Sequence, residues 1–197
     1  MLDFFESLSP VSQAFLAGMF TWSLTALGAA TVFFKKEFSL RSSDVMMGFA
    51  AGVMIAASFW SLLAPAIEIL QHREATPWMG AALGFLAGAG FIRLADGLLP
   101  HLHPGKEELS SAEGPPTAWR RSTLLFTAMT LHNIPEGAAV GVAFGALAHP
   151  MDLTPGATMA GAIALTLGIG LQNVPEGLAV AMPLRRQGGT RRHAFFV

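Results

Sequence analysis

The chain has 197 residues, 52% of them hydrophobic and only 13% charged, with a formal net charge of −1 and a mean hydropathy of +0.51. A soluble domain of this length needs a charged surface, whereas Lys, Arg, Asp and Glu here gather in short clusters between long apolar runs, so lipid is the solvent for most of the chain and no nucleic-acid partner is expected. Cysteine is absent, which excludes disulfides, thiolate zinc sites and cysteine nucleophiles and leaves His and the 10 Met as the soft ligands.

The opening MLDFFESLSP carries Asp3 and Glu6 and lacks the basic n-region of a secretory signal, so the first segment is expected to be retained. A helix needs about 20 apolar residues to cross the hydrocarbon layer. Five stretches meet that length, roughly 11–34, 44–70, 78–99, 121–147 and 156–184. The predicted fold is therefore all-α: a single transmembrane domain over 1–197, a polytopic helical bundle of five spans.

The connections 35–43, 71–77, 100–120 and 148–155 and the basic tail fix the orientation. With the N-terminus out, the inner side holds Lys35, Lys36, Arg41, Lys106, Arg120, Arg121, Arg185, Arg186, Arg191 and Arg192, while the outer loops hold only Arg73 and Arg93 lies within the third span. The positive-inside rule then places the C-terminus and the 100–120 loop in the cytoplasm, in a multi-pass protein of the inner (plasma) membrane.

Small residues recur at four-residue spacing in Gly48/Gly52, Gly80/Gly84/Gly88 and Gly137/Gly141/Gly145, a pattern that predicts tight helix packing in lipid. The fourth and fifth spans also carry an internal repeat, His132-Asn-Ile-Pro-Glu-Gly137 against Gln172-Asn-Val-Pro-Glu-Gly177. At about 100° per residue, His132 and Glu136 project from one helix face a turn apart and can share an ion. Gln172 and Glu176 repeat the geometry, and Asn133 and Asn173 sit one position round, so that six polar side chains are expected to converge between two helices.

Ionisable groups inside a membrane cost ~3 kcal/mol each on insertion scales and face a bundle interior or a wet cavity. Glu136 and Glu176 form a buried double negative charge unless they are protonated or a cation lies between them, and a divalent ion neutralises both. Oxygen alone suits magnesium or calcium; the added His132 nitrogen shifts the preference toward zinc, iron, manganese, cobalt or cadmium. Pro135 and Pro175 have no N–H for the carbonyls of Leu131 and Leu171 and are expected to kink their helices beside the ligands. A polar network acting only as helix glue is the rival reading, and two unpaired carboxylates fit it poorly.

At these hexapeptides the sequence resembles the ZIP (Zrt/Irt-like) metal-ion transporters, specifically their prokaryotic branch. The resemblance extends from Gly48-Phe-Ala-Ala-Gly-Val-Met-Ile-Ala-Ala-Ser58, through the Pro-His-Leu-His loop at 100–103, to the arginine-rich stretch after Pro183. It implies that His132, Glu136, Gln172 and Glu176 form a central transport site, with Met54 looking in as a thioether ligand. Some family members hold a second metal where an acidic residue stands at the position of Asn173, and the neutral amide here points to one metal. The family fold has eight spans, so the resemblance implies five of eight, a chain truncated after the fifth.

Three further groups stand apart. His101 and His103, with Glu107 and Glu108, form a loop that can hold metal loosely, as solvated loop residues or as ligands. Arg93 and Asp96, three apart, are expected to pair with each other. Glu68 and His72 at the outer end of the second span are read as interfacial. The function expected is transport of zinc or a related divalent transition metal toward the cytoplasm, with no covalent chemistry. The alternatives are an intramembrane metal-dependent hydrolase, or a non-transporting metal-binding fragment, including one that assembles with a second copy as a homodimer.

Overall fold

A computed structural model describes all residues except Met1, 36–38, 74–75, 103–111, 150–153, 155, 187 and 197. Among the described residues there is no strand, only helices and the connections between them. The short α1 (Leu2–Glu6) precedes α2 (Pro10–Ala30), which continues as a 3-10 turn at Thr31–Phe33. Ser9 starts α2 by accepting a hydrogen bond from the Ser12 amide at 3.2 Å, ahead of Pro10 in the first turn. Ser39 caps α3 (Leu40–Ala57) in the same way, from the Ser42 amide at 3.1 Å.

Beyond α3 the helix widens into a π-turn at Ser58–Leu63 and continues as α4 (Ala64–His72). Pro65 explains the widening: its ring would strike the Ser61 carbonyl in an α-helix, and it has no N–H to donate there. Then follow α5 (Pro77–Leu98), α6 (Arg121–Ala146), α7 (Met159–Arg186) and the short α8 (Arg191–Phe196). Both α6 and α7 run without interruption through Pro135 and Pro175.

Four stretches, Pro10–Phe33, Asp44–His72, Pro77–Leu98 and Met159–Arg186, are long and apolar enough to cross a membrane. At 26 residues α6 has the length. It falls short in apolarity because His132, Asn133 and Glu136 stand in its middle, which is why four helices rather than five meet both criteria among the described residues. The fold is an all-α polytopic helical bundle.

The central helix is α7, which packs most extensively on α2 and also on α3 and α6. Its polar residues 172–176 lie between two apolar clusters. One comprises Val32, Leu124, Leu125, Leu178, Ala181 and Leu184 with their neighbours, and the other Ala17, Val140, Phe144, Ala162, Leu165 and Ile169.

Glycine spacing misleads here. A Cβ at Gly28 would overlap the Val174 carbonyl, and one at Gly177 would overlap the Thr25 carbonyl, so α2 and α7 meet backbone to backbone at two isolated glycines. In the recurrent stripes, by contrast, Gly48, Gly52, Gly84, Gly88, Gly137, Gly141 and Gly145 meet nothing within 4 Å, and Gly80 meets only the Leu70 side chain. The expectation of tight packing along those stripes is corrected: apart from Gly80, a Cβ at any of these glycines would meet open space among the described residues.

Candidate metal centre

A cavity of about 410 Å³ opens between α3, α6 and α7, and His132, Glu136, Gln172, Glu176 and Met54 all line it. Met47 of α3, Met129 of α6 and small alanines complete its wall. The helical spacing of four puts His132 with Glu136, and Gln172 with Glu176, on one face of each helix, and the two faces meet here.

Hydrogen bonds orient three of these side chains, His132, Gln172 and Glu136. The Nδ1 of His132 lies 2.9 Å from the Ala128 carbonyl. A carbonyl only accepts, so Nδ1 carries a proton and, in the neutral ring, Nε2 is the nitrogen with the lone pair. The Gln172 Nε2 donates to Glu136 Oε1 at 2.5 Å. The remaining oxygens, Glu136 Oε2 and Glu176 Oε2, are buried and have no hydrogen-bond partner among the described residues. Two buried carboxylate oxygens without donors need a proton or a cation nearby.

Asn133 and Asn173 do not join this group. They line a separate cavity of about 430 Å³ between α2, α6 and α7, together with Thr21, Thr25 and Thr130. The Asn133 Nδ2 donates to the Met129 carbonyl at 2.9 Å, and the Asn173 Nδ2 to the Thr21 carbonyl at 3.2 Å. Four of the six polar side chains of the hexapeptides therefore share a cavity, because one residue of offset, 100° of rotation, turns the two asparagines toward α2. Glu136 borders both spaces.

A smaller cavity of about 210 Å³ runs from His132 and Glu136 to Asp96 and His101. Asp96 and His101 of this lining, together with Glu113, present ligand atoms within 4.8 Å of one another. His101 is buried; its Nδ1 lies 2.9 Å from the Leu99 carbonyl and its Nε2 2.9 Å from Asp96 Oδ1. The backbones of His101 and Glu113 form an antiparallel bridge, with hydrogen bonds of 3.1 and 2.9 Å. Gly114 permits the turn: its φ is +85°, and a Cβ there would overlap the Leu99 carbonyl.

Of the group expected for the loop, only His101 lies among the described residues. His103, Glu107 and Glu108 lie outside the described residues, and the side chains gathered around His101 are Asp96 and Glu113. Asp96 pairs with Arg93 as expected, at 3.0 Å, but only through Oδ2. No spacing rule announces the grouping, since it depends on a loop folding back to make a single bridge. Glu68 and His72 are both exposed at the end of α4.

A helical membrane bundle in which three helices bring imidazole, carboxylates, an amide and a thioether to one cavity belongs to the class of membrane proteins that handle transition metals. No family model matches the chain. It is 38% identical to the zinc transporter ZIP11 of Xenopus tropicalis, over 97% of this chain and 76% of that protein. It is 36% identical to human zinc transporter ZIP11, over 95% of this chain and 76% of that protein. With the zinc transporter GufA of Myxococcus xanthus the identity is 35%, over 92% and 68%. The chain belongs to the ZIP family, and its similarity reaches vertebrate as well as bacterial members.

Proposed function

We propose that this chain transports zinc across a membrane toward the cytoplasm, holding the ion in transit at His132 Nε2, Glu136, Glu176 and Gln172, with Met54 as a soft fifth contact. One observation carries the reading: the same cavity holds an imidazole whose lone pair is freed by its tautomer and two glutamates with donorless buried oxygens. A divalent cation satisfies all three at once, and a proton cannot. Membership of a family whose relatives are named zinc transporters supports zinc as the substrate. Iron, manganese, cobalt and cadmium suit the same donors and are competing substrates in this reading.

The ion exchanges hydration water for these side chains, then passes along the smaller cavity to Asp96, His101 and Glu113 on its way to the cytoplasmic side. The chemistry is ligand exchange, with no covalent step. The orientation that goes with it has the N-terminus outside and α6 as a fifth span, in the inner (plasma) membrane, with a homodimer as the working assembly. Zinc uptake into liposomes containing the purified chain, with His132→Ala as the matched control, tests the proposal. Uptake abolished by the substitution supports it, and equal uptake by both proteins removes His132 from the path.

A further inference from the structure

We infer that Asn173 is a positioning residue, which fixes the Gln172 side chain so that its carbonyl oxygen Oε1, rather than its amide nitrogen, faces the metal cavity. This inference rests on the reading of that cavity as the transport site. It follows from which atoms can donate and which can only accept. The Thr21 backbone carbonyl accepts only, so the side of the Asn173 amide that lies 3.2 Å from it is Nδ2. The oxygen of Asn173 is then on the other side, where Gln172 Nε2 donates to it at 2.7 Å.

The same Nε2 donates to Glu136 Oε1, so both of its protons are used. Turning the Gln172 amide over would set its oxygen against two acceptor oxygens. Oε1, which has no hydrogen bond among the described residues, is left for the cavity that Gln172 lines. An amide nitrogen is not a metal ligand at neutral pH and an amide oxygen is. The orientation thus decides whether Gln172 binds the ion at all.

The relay also ties the site to α2. Asn173 and Gln172 are both buried, at 2% and 4% exposure, so water has little access to these bonds. Beside them the backbones of α2 and α7 touch at Gly177 and Thr25, which holds the Thr21 carbonyl in register with Asn173. Asn133, at the equivalent place in the other hexapeptide, donates within its own helix to Met129 and has no such reach. His132 needs none, since its own bond to Ala128 orients it.

The test is a double-mutant cycle read with zinc and cobalt(II) on the purified full chain. Asn173→Leu is expected to weaken zinc binding by about 10- to 100-fold, the usual loss when a ligand's orienting partner is removed. It is expected to change the visible bands of bound cobalt(II), which follow the donor set, in the same way as Gln172→Ala. In the Gln172→Ala background, Asn173→Leu is expected to weaken zinc by no more than about twofold, since the additive error of such cycles is ~0.5 kcal/mol.

Wild-type affinity and bands in Asn173→Leu overturn the inference. So do fully additive losses, which would make Asn173 a ligand or a mere packing group. Asn173→Ala, smaller and free of steric demand, carries the same expectations if the leucine does not fold, and the melting temperature of the metal-free protein reports folding separately. His132→Ala distinguishes the two levels. Zinc binding unaffected by His132→Ala removes the transport site itself, whereas binding lost in His132→Ala and untouched by Asn173→Leu leaves the site standing and removes only its positioning by Asn173.

Discussion

Replacing Glu176 by Gln removes one charge from the cavity and almost nothing else, because Glu176 has the same shape and makes no hydrogen bond to another described side chain. With both glutamates ionised, a bound zinc ion is neutralised; with one, a net positive charge stays inside the bilayer. Removing one partner of a buried charge pair costs about 3 to 5 kcal/mol. At about 1.4 kcal/mol per factor of ten, zinc affinity is predicted to fall by roughly two to three and a half orders of magnitude. Zinc at a hundred times the wild-type Kd stabilises the wild-type fold by about 2.7 kcal/mol, and a variant that binds a hundredfold more weakly by only about 0.4 kcal/mol. Thermal unfolding in detergent, with and without zinc, measures this directly. The zinc-dependent rise in Tm is expected to all but vanish in Glu176→Gln, while the metal-free Tm is expected not to fall. A variant that keeps the full zinc-dependent rise would refute the assignment of Glu176 to the ion.

Protons and zinc compete for the same lone pairs, so binding releases protons and zinc affinity is predicted to fall as the pH drops from neutral to mildly acidic. Titration at the two pH values checks this, and equal affinities count against carboxylate and imidazole ligation. Gly177→Ala is predicted to destabilise the fold by about 1 to 3 kcal/mol because its methyl group meets the Thr25 backbone. Gly137→Ala faces open space and is predicted to be neutral or to stabilise by up to about 1 kcal/mol, as alanine favours helix. Matching melting temperatures for the two alanine variants would contradict the packing described. His101→Ala is predicted to remove a second, weaker zinc ion while leaving the first in place, a result that equilibrium dialysis reads as stoichiometry; an unchanged stoichiometry would rule out metal at Asp96, His101 and Glu113.

What the sequence made legible was local in origin. The helical period is fixed by backbone geometry, so two residues four apart on one long apolar helix must share a face, and His132, Glu136, Gln172 and Glu176 could be grouped before any tertiary structure was known. Met54 came in through family resemblance alone, and it does line the cavity. The one-residue offset of Asn133 and Asn173 was equally visible, but which helix would receive them was not. That depends on α2, whose contact with α7 turns on two solitary glycines, Gly28 and Gly177, while the repeated glycines that attract the eye, Gly80 apart, face open space. The π-turn had a local signal in Pro65 that apolar periodicity hides. The grouping of Asp96, His101 and Glu113 had none, because a single backbone bridge across a loop creates it.

The two hexapeptides are nearly the same sequence in different surroundings, and the surroundings divide their labour. On α7, Gln172, Asn173, Pro175 and Gly177 are all buried, and Gly177 abuts the α2 backbone. On α6, His132 and Gly137 are exposed, and Glu136 opens onto both large cavities. The buried copy needs a side chain that neighbours can lock by hydrogen bonds, and an amide with two donor protons at position 172 supplies that. The open copy needs a ligand that orients itself from its own helix, and an imidazole whose Nδ1 reaches the carbonyl four residues back supplies that. Gln and His therefore stand at equivalent places for different physical reasons, and in the proposed site α7 is the fixed half and α6 the half from which an ion would be reached.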